Sequence, residues 1–390
     1  MALKGKVCVK GLWDESIPDI TFNEQGVSNY CLLQEKMMAD YPKNDMAIKK
    51  WEGIVESVKA KGGNKYNCVI GVSGGVDSSY LLHIAKEYGL KPLAVHLDNG
   101  FNSEIAVRNI ENVTRALDID LVTHVIDYEE IKDLLRSYMK ASMPWIDFPT
   151  DLAIKGTMYN VALKYGIKYI IRGNDFRSEG KQPAEWTYSD NKQLLYLHKQ
   201  FGSGIKLKTF PQLSIFKEVY AGYIKGIRDV RPYYYINYNK QDAKKLLIEK
   251  YNWQDYGGHH HENLFTKFAM SYWLPKKFKI DKRIINLSAQ ILSGAMTREE
   301  AMEKINQPFD AEDNLQNLKD YVLKKLDLTD NDFTNIMALP PKTYKSYPSD
   351  YDFIFKNVKH FKWLIKRIYD FKPMAIESSE VIDGKANAKN

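Results

Sequence analysis

The chain has few cysteines and no long apolar segment. Three cysteines in 390 residues are too few for a disulfide framework and are typical of proteins from a reducing compartment. Residues 1–6 lack the apolar core of a signal peptide, and no apolar run approaches the length of a membrane-spanning helix. We therefore expect a soluble cytoplasmic protein that has no membrane partner.

A strong charge of one sign is also missing. The 56 basic and 49 acidic residues leave a formal net charge of +7, and they are spread along the chain. This small excess suits an anionic nucleotide as well as RNA, so it does not by itself indicate nucleic acid. With 44% hydrophobic residues, a chain of this length can bury a full core, which predicts one large domain with additions.

The sequence lacks the Gly-Lys-Ser/Thr ending of a Walker loop, but it contains another glycine-rich turn. Residues 68–72 form an apolar run typical of a strand buried on both faces of a parallel sheet, and helical spacing resumes at Leu81. Between them, glycines let an anion approach free N–H groups at the helix start. A glycine turn without a ligand is the alternative. The candidate ligand-binding residues are Ser73, Gly74, Gly75, Asp77, Ser78 and Ser79.

Strands and helices alternate along the region that contains this turn. Further apolar runs predict strands at residues 93–97, 122–126 and 169–173. Helical spacing predicts helices that include residues 46–62 and 103–117. This alternation predicts an α/β fold with a doubly wound, mostly parallel sheet, which binds its ligands at the carboxyl ends of the strands.

Polar residues follow two of these predicted strands. Asp98 and Asn99 come after the second strand, and Gly173 and Asn174 come after the fourth. Because the carboxyl ends of parallel strands meet at one edge of the sheet, we expect all four residues near the glycine turn. His96 lies inside a strand, and we expect it to be a core residue.

The N-terminal residues contain an incomplete pair of metal-binding knuckles. A zinc ribbon needs two Cys-x-x-Cys pairs, but here the first pair is Cys8 and Gly11, and the second is Ser28 and Cys31. Cys8 and Cys31 are therefore the candidate zinc ligands. Two thiols do not make a structural zinc site, so two small buried cysteines are the alternative.

The sequence Ser-Gly-Gly-Val-Asp-Ser-Ser at residues 73–79 resembles the loop of the PP-loop ATP pyrophosphatases, which cleave ATP between its α and β phosphates. Other phrases resemble one family of that superfamily, the N-acetyl sugar amidotransferases of bacterial surface-polysaccharide synthesis. These phrases lie at residues 17–26, 97–100, 173–186, 258–268, 281–283 and 293–301. The resemblance spans roughly residues 5–310.

This resemblance implies a ligase that converts the acetamido group of a UDP-linked N-acetyl sugar into an acetamidino group. The reaction would consume ATP and ammonia and would require Mg²⁺. Its product would be used in the synthesis of O-antigen, lipopolysaccharide or a related glycan. A separate glutaminase–synthase pair, resembling the histidine-pathway enzymes, would supply the ammonia. The family carries four cysteines in its N-terminal module, whereas this chain has Gly11 and Ser28 at two of those positions.

The chain is expected to contain four regions. Residues 1–45 would form a small, zinc-ribbon-like module, and residues 46–236 the PP-loop ATP pyrophosphatase domain. Residues 237–376 are predicted to form a helical C-terminal domain, because the strand–helix alternation stops there. The polar residues 377–390 are predicted to be a disordered tail.

The amide chemistry suggests which residue types to look for. Attack of an amide oxygen on the α-phosphate of ATP would make an O-adenylyl imidate, to which ammonia adds as AMP departs. Basic residues would stabilise the developing negative charge, and a base would move protons. The candidate catalytic residues are Asp77 for Mg²⁺ or loop order, Lys267, Lys282 and Arg283 as cations, and Glu179 or His260 as base or substrate contact.

A glutaminase active site is not recognisable in the sequence. Position 2 is Ala2, and none of the three cysteines has a glutaminase-like setting. Only about 70 residues precede the glycine turn, too few for an appended glutaminase domain. We expect free ammonia, or ammonia from a partner, to be the nitrogen source.

Two other functions remain open. The chain could be a PP-loop tRNA-modifying enzyme, such as a thiolase or a lysidine synthase, although it lacks the close reactive cysteine pair of most thiolases. A steeply salt-dependent complex with tRNA would favour this function. The chain could also be a catalytically silent binding subunit, which failure to bind ATP would indicate.

Overall fold

Parallel strands form one sheet in the computed structural model, which describes residues 3–63, 65–257 and 262–369. Within these residues the strands are β1 (Cys68–Gly71), β2 (Pro92–Asp98), β3 (Leu121–Val125), β4 (Tyr169–Ile171) and β5 (Arg228–Val230). Their order is β3-β2-β1-β4-β5, and every neighbouring pair is parallel. The predicted α/β fold with a parallel, doubly wound sheet is confirmed.

Helices make up most of the rest of the described chain. Up to β3 they are α1 (Asn29–Asp40), α2 (Asp45–Lys61), α3 (Val76–Glu87) and α4 (Glu104–Ala116). Up to β5 they are α5 (Tyr128–Lys140), α6 (Phe148–Tyr165), α7 (Phe176–Glu179), α8 (Ala184–Thr187), α9 (Asn191–Phe201), α10 (Ile215–Val219) and a π-helical segment (Tyr220–Ile224). After β5 they are a 3₁₀ turn (Pro232–Tyr234), α11 (Lys240–Tyr251), α12 (Leu264–Phe268), a π-helical segment (Ala269–Phe278), α13 (Arg283–Leu292), α14 (Arg298–Asn306), α15 (Glu312–Lys325), α16 (Asp330–Ala338), a 3₁₀ turn (Tyr344–Ser346) and α17 (Tyr351–Ile368).

Alternate residues of the central strand face two different hydrophobic cores. Val69 of β1 packs in a core with residues of α5, α6 and α9. Its neighbours Cys68 and Ile70 pack in a second core with residues of α2, α3, α4 and α11. All three side chains are fully buried. Because side chains alternate between the faces of a strand, a sheet covered on both faces needs an apolar run without interruption.

The order of the strands places a switch point beside β1. The chain moves from β1 to β2 and β3 on one side, and then returns to add β4 and β5 on the other. At such a point the connections leave in opposite directions and open a crevice at the carboxyl ends of the strands. The glycine turn follows β1, so it lies at this crevice.

The sequence analysis did not predict one edge strand. The short strand β5 pairs with β4 through Ile170 and Asp229, but its sequence Arg-Asp-Val has no apolar run to reveal it. Asp229 is nevertheless buried, because its carboxylate pairs with Arg172 of the adjacent chain segment. The two helices predicted from spacing lie within one residue of α2 and α4 at each end.

The N-terminal residues pack against helices from the other end of the chain. Cys8, Trp13 and Cys31 belong to one core with Ile285 of α13 and Ile305 of α14. The predicted boundaries of the four regions stay predictions. The predicted disordered tail, residues 377–390, lies outside the described residues. Within the described ranges, no helix is long and apolar enough to cross a membrane.

A buried carboxylate anchors the segment that follows α9. Glu130, in α5, accepts hydrogen bonds of 2.8 to 3.0 Å from the backbone N–H groups of Lys208, Thr209 and Phe210. Burial by itself would raise the pKa of Glu130, but these three donors outweigh it and lower the pKa. The folded state therefore favours the charged carboxylate.

Replacing this carboxylate should destabilise the fold in a pH-dependent way. Glu130→Gln should lower the free energy of unfolding by about 1–3 kcal/mol at pH 7, since an amide cannot accept all these bonds. The stabilisation is present above the unfolded-state pKa of about 4.3, and it is lost as pH falls through the lower folded-state pKa. Urea titrations at pH 7 and at acidic pH would measure this, with Glu249→Gln on an exposed position of α11 as the control. An equal loss at both pH values would contradict the account.

Candidate active site

The glycine turn joins β1 to α3 through a backbone conformation that requires glycine. Gly74 has φ of +80°, and a Cβ atom there would lie 2.2 Å from the carbonyl oxygen of Ala106 in α4. The carbonyl of Gly74 accepts hydrogen bonds from Asn109 Nδ2 at 3.3 Å and from Trp253 Nε1 at 2.9 Å. Two other segments therefore fix the path of this turn.

Serine side chains close the inside of the turn. The backbone N–H of Ser73 donates to Ser78 Oγ at 3.2 Å, and the N–H of Gly75 donates to Ser73 Oγ at 3.3 Å. The two hydroxyl oxygens are 3.3 Å apart. In this arrangement the first turn of α3 offers N–H and hydroxyl donors, which suits an anion such as a phosphate.

A cleft of about 280 Å³ opens at the carboxyl ends of β1, β2 and β4. It contains most of the residues that the sequence analysis selected for nucleotide binding, together with one catalytic candidate. The predicted residues that line it are Ser73, Gly75, Asp77, Ser78, Asn99, Gly173, Asn174 and Glu179. The fold thus brings together residues from three widely separated segments of the chain.

Three predicted residues support the cleft without lining it. Gly74 shapes the turn, as described above. Ser79 is buried, and its N–H donates to the carbonyl of Gly75 inside α3. Asp98 accepts a hydrogen bond of 2.8 Å from the N–H of Gly100, which orders the connection after β2.

Asp77 is held by residues to which the sequence analysis gave no role. Tyr238 donates a hydrogen bond to Asp77 Oδ1, and Lys240 Nζ lies 3.0 Å from Oδ2. Tyr233 donates to the backbone carbonyl of Asp77 at 2.7 Å. Burial, and then the charge of Asp77, raise the pKa of Tyr238, so this hydroxyl stays protonated and acts as a donor. No local sequence pattern marks Tyr238 or Lys240, because they reach the loop from a segment about 160 residues away.

Other cleft residues were also missed. Arg172, directly after β4, lines the cleft while its Nε lies 2.6 Å from Asp229 Oδ2. His96 was expected to be a core residue, and it is buried, but it also lines the cleft, with Nδ1 3.0 Å from the carbonyl oxygen of Val72. Burial lowers the pKa of His96, which favours the neutral ring. A polar residue at the end of an apolar strand was the available signal for Arg172.

Lys282 lies behind the cleft wall. Its Nζ is 3.9 Å from the centre of the Trp145 ring, and Trp145 lines the cleft together with Asp151. Burial lowers the pKa of Lys282 to about 8, although the carboxylates of Asp151, Glu179 and Asp147 act in the opposite direction. An amine with this pKa exchanges a proton near neutral pH, which suits acid–base chemistry.

Two further catalytic candidates, Lys267 and Arg283, do not line the cleft. Lys267 Nζ forms an ion pair of 2.8 Å with Asp310. Arg283 pairs with Asp281 at 2.8 Å and donates to the carbonyl oxygens of Lys304, Ile305 and Gln307 at the end of α14. These contacts give both side chains structural partners. The remaining candidate, His260, lies outside the described residues.

The N-terminal cysteines do not fit a zinc site. Cys8 and Cys31 are fully buried, and Cys8 Sγ accepts a hydrogen bond of 3.3 Å from the N–H of Ser28. At position 11, the space for a side chain is filled, because a Cβ on Gly11 would lie 2.5 Å from the Trp13 ring. The hydroxyl of Ser28 already accepts a hydrogen bond of 3.1 Å from the N–H of Cys31. Zinc needs four ligands, and no group of three or more metal-binding side chains occurs in the described part of the chain.

An arginine side chain contacts the loop that contains Cys8 and Gly11. Arg298 Nη1 donates to the carbonyl oxygens of Cys8 at 3.0 Å and Val9 at 3.3 Å, and also to that of Gly11. Arg298 is the first residue of α14, so it ties the N-terminal residues to this helix. The loop that would surround zinc is therefore ordered by a side-chain cation.

Metal analysis should find the purified protein nearly free of zinc. We expect far less than one zinc per chain by plasma mass spectrometry, and no change in Tm on adding EDTA. Arg298→Met should lower the free energy of unfolding by about 1 kcal/mol, since it leaves the partly buried carbonyl groups of Cys8 and Gly11 without this donor. Arg108→Met, at an exposed ion pair, is the control. Stoichiometric zinc, or loss of stability on chelation, would contradict the assignment.

One family model and two curated proteins match parts of the chain. A family model described as "LPS biosynthesis protein WbpG-like, C-terminal domain" matches residues 262–362. The uncharacterized protein MJ1599 of Methanocaldococcus jannaschii is 27% identical over 313 residues, which cover 78% of this chain and 94% of that protein. A tRNA(Ile)-lysidine synthase of Nitratidesulfovibrio vulgaris is 31% identical over 91 residues, only 22% of this chain and 26% of that enzyme.

Solved structures give weaker likenesses. NMN synthetase from Francisella tularensis is 14% identical, with a TM-score of 0.37, and the alignment covers 77% of this chain and 97% of that one. The U34-tRNA thiolase NcsA from Methanococcus maripaludis is also 14% identical, with a TM-score of 0.30 and coverage of 67% and 81%. The WbpG-like family model, whose description names lipopolysaccharide biosynthesis, matches about a quarter of the chain.

Proposed function

We propose that the chain is an ATP-dependent amidotransferase that converts the acetamido group of a nucleotide-linked N-acetyl sugar into an acetamidino group. The observation that carries this proposal is the glycine turn at the switch point of the sheet, with its serine donors facing a cleft. The WbpG-like domain at residues 262–362 supports the setting in lipopolysaccharide synthesis, since that is what the family's description names. The identity of the substrate, an N-acetyl sugar, and of the product, an amidine, is inferred from the resemblance of the sequence phrases to the N-acetyl sugar amidotransferases.

ATP would enter the cleft with its phosphates at the glycine turn. The first turn of α3, with Ser73 and Ser78, would bind the β- and γ-phosphates, because backbone N–H groups and the two serine hydroxyls converge there and could turn from each other to a phosphate. Asp77 is a suitable Mg²⁺ ligand, since Mg²⁺ usually takes one or two carboxylates together with substrate phosphates. Its present partner Lys240, at 3.0 Å, would then be released toward the phosphates.

The reaction would proceed in two displacements. The acetamido oxygen attacks the α-phosphorus, the bond between the α-phosphorus and its bridging oxygen breaks, and pyrophosphate leaves with that bond's electrons. The product is an O-adenylyl imidate. Ammonia then adds to the imidate carbon, a proton is lost, and the C–O bond to AMP breaks to give the amidine. Cations beside the cleft, such as Arg172 and Lys240, would stabilise the charge on pyrophosphate.

Proton transfer in the second step needs a group in the cleft. Glu179 lines the cleft, and its carboxylate oxygens lie 3.3 and 3.4 Å from Asn174 Nδ2. It is our candidate to accept the proton from the added ammonia. Lys282, with a pKa of about 8, would act from behind Trp145 as a proton exchanger or as a positive charge. Lys267 and Arg283 are engaged elsewhere, so the mechanism assigns them no step.

A defined assay tests the proposal. The purified chain would be incubated with ATP, Mg²⁺, ¹⁵N-ammonium and a panel of UDP-linked N-acetyl sugars, and products would be measured by mass spectrometry. We expect a ¹⁵N-labelled amidine and an equal amount of AMP. Glutamine should not replace ammonium unless a partner glutaminase–synthase pair is added. Glutamine-dependent product from the pure chain would contradict the assignment of the ammonia source.

Other outcomes would identify the competing functions. AMP formation with a tRNA, and none with any sugar, would favour the tRNA-modifying enzyme. The short match to a lysidine synthase is the observation behind this alternative. Failure to bind ATP in calorimetry would favour a silent subunit.

Variants connect the assay to the cleft. Ser78→Ala and Glu179→Gln should each lower kcat by about 100-fold or more, the range seen when one transition-state contact is removed. Glu299→Gln, at an exposed position of α14, is the control for the loss of a carboxylate. Full activity in both cleft variants would remove the cleft from the mechanism.

A further inference from the structure

A second, larger cavity adjoins the candidate active site. It measures about 1,190 Å³, against about 280 Å³ for the first cleft. Its walls come from the start of α3, from α7, from α11 and its preceding residues, and from α13 and α14. Ligand pockets typically measure about 300–1,000 Å³. The first cleft lies just below this range and the second lies above it, so the second has more room for a large ligand.

The two cavities share a thin wall. Val76 lines the second cavity, and the next residue, Asp77, lines the first. In the same way, Asp175 lines the second and Asn174 the first. Lys240 lines the second cavity while its Nζ lies 3.0 Å from Asp77 Oδ2. Residues that are adjacent in sequence therefore line the two cavities, and a ligand in the second cavity would lie next to the glycine turn.

A buried arginine with an unused donor lines the second cavity. Arg177 is only 6% exposed, and its Nη2 donates to the carbonyl oxygen of Tyr41. Its Nη1 makes no hydrogen bond within the described residues, and Asp175 Oδ1 lies 3.9 Å away. Burial raises the pKa of Asp175 to about 6, so this carboxyl is mostly charged at neutral pH and loses its charge as the pH falls below that value. The Nη1 atom itself is shielded from solvent, so Arg177 contributes a fixed positive charge beside the cavity.

Further cations stand around the same cavity. The lining lysines are Lys43, Lys240, Lys244 and Lys304. Four acidic residues line it too: Asp255 pairs with Lys244, Glu300 is engaged by Thr297 at the start of α14, Asp175 lies beside Arg177, and Glu303 precedes Lys304 in α14. Lys43 and Lys304 form no ion pair within 4.0 Å in the part of the chain that is described. Guanidinium and ammonium groups spread over one cavity suit a ligand with two phosphates.

We propose that the second cavity binds the nucleoside diphosphate part of the sugar substrate, with Arg177, Lys43 and Lys304 holding its phosphates. This inference rests on the proposed function. The sugar would then reach past Lys240 and Asp77 into the first cleft, where its acetamido oxygen meets the α-phosphate of ATP. Two substrates with five phosphates between them are thereby held at separate cation clusters. Pyrophosphate released from ATP is the other possible source of a diphosphate here.

Calorimetry with unreactive probes separates these sources. UDP would be titrated into the whole chain already saturated with ATP and Mg²⁺, and pyrophosphate would be titrated in parallel. We expect UDP to bind in the presence of ATP, and more tightly than pyrophosphate. UDP that displaces ATP, UDP that does not bind, or pyrophosphate that binds as tightly as UDP would overturn the proposal.

Charge reversal locates the site. Lys43→Glu and Lys304→Glu should each weaken UDP binding by about tenfold or more, because a charged contact to phosphate becomes repulsive. Lys49→Glu on α2 and Lys324→Glu on α15 make the same change in net charge at exposed positions outside the cavity, and they should leave UDP binding within about twofold. ATP affinity should be unchanged in all four variants, which also verifies that they fold. Equal losses in cavity variants and controls would contradict the site.

These measurements are independent of the reaction. UDP carries no acetamido group, so its binding does not depend on amidine formation. UDP binding at the second cavity without any amidine product would contradict the proposed reaction alone. Amidine product together with UDP competing against ATP would contradict the second site alone.

Discussion

The left-handed backbone at Gly74 is the constraint on which the cleft depends. With φ of +80° and Ala106 O only 2.2 Å from the position of a Cβ atom, no other residue fits without displacing α4. The carbonyl of Gly74 accepts hydrogen bonds from Asn109 and Trp253, so α4 and the segment after α11 both fix the position of the turn. The serine donors face the cleft because this turn is held from outside the loop. The position of the loop therefore depends on tertiary packing as much as on its own sequence.

The fold and the glycine turn could be predicted because their signals are local. A strand buried on both faces must be apolar at every position, so the run ending at Gly71 was visible in the sequence. Residues at strand ends, such as Asn99 and Asn174, followed from the geometry of parallel sheets, and both line the cleft. The strand β5 was missed since three residues, two of them charged, show no period.

The cations of the site could not be assigned from sequence, because what decides their role is the partner each one finds. Lys267 and Arg283 looked catalytic, but neither these cations nor their carboxylate partners, Asp310 and Asp281 respectively, line the cleft. Arg172 and Lys240 belong to no motif, yet the fold places Arg172 in the cleft wall and Lys240 beside Asp77 of the glycine turn. Arg177 could be identified as a candidate ligand-binding residue only from its burial beside a cavity. Charge in a sequence is common, whereas a charge with an unused donor beside a cavity is a property of the fold.

One isotope measurement tests the central claim, that the cleft activates an amide oxygen on the α-phosphate of ATP. The acetamido carbonyl of the sugar would be labelled with ¹⁸O, and the phosphorus products would be separated and analysed by mass spectrometry. The account predicts that the label appears in AMP, because the amide oxygen stays on the α-phosphorus when ammonia displaces it from carbon. Label in orthophosphate alongside ADP, or label released to water with unlabelled AMP, would contradict the account.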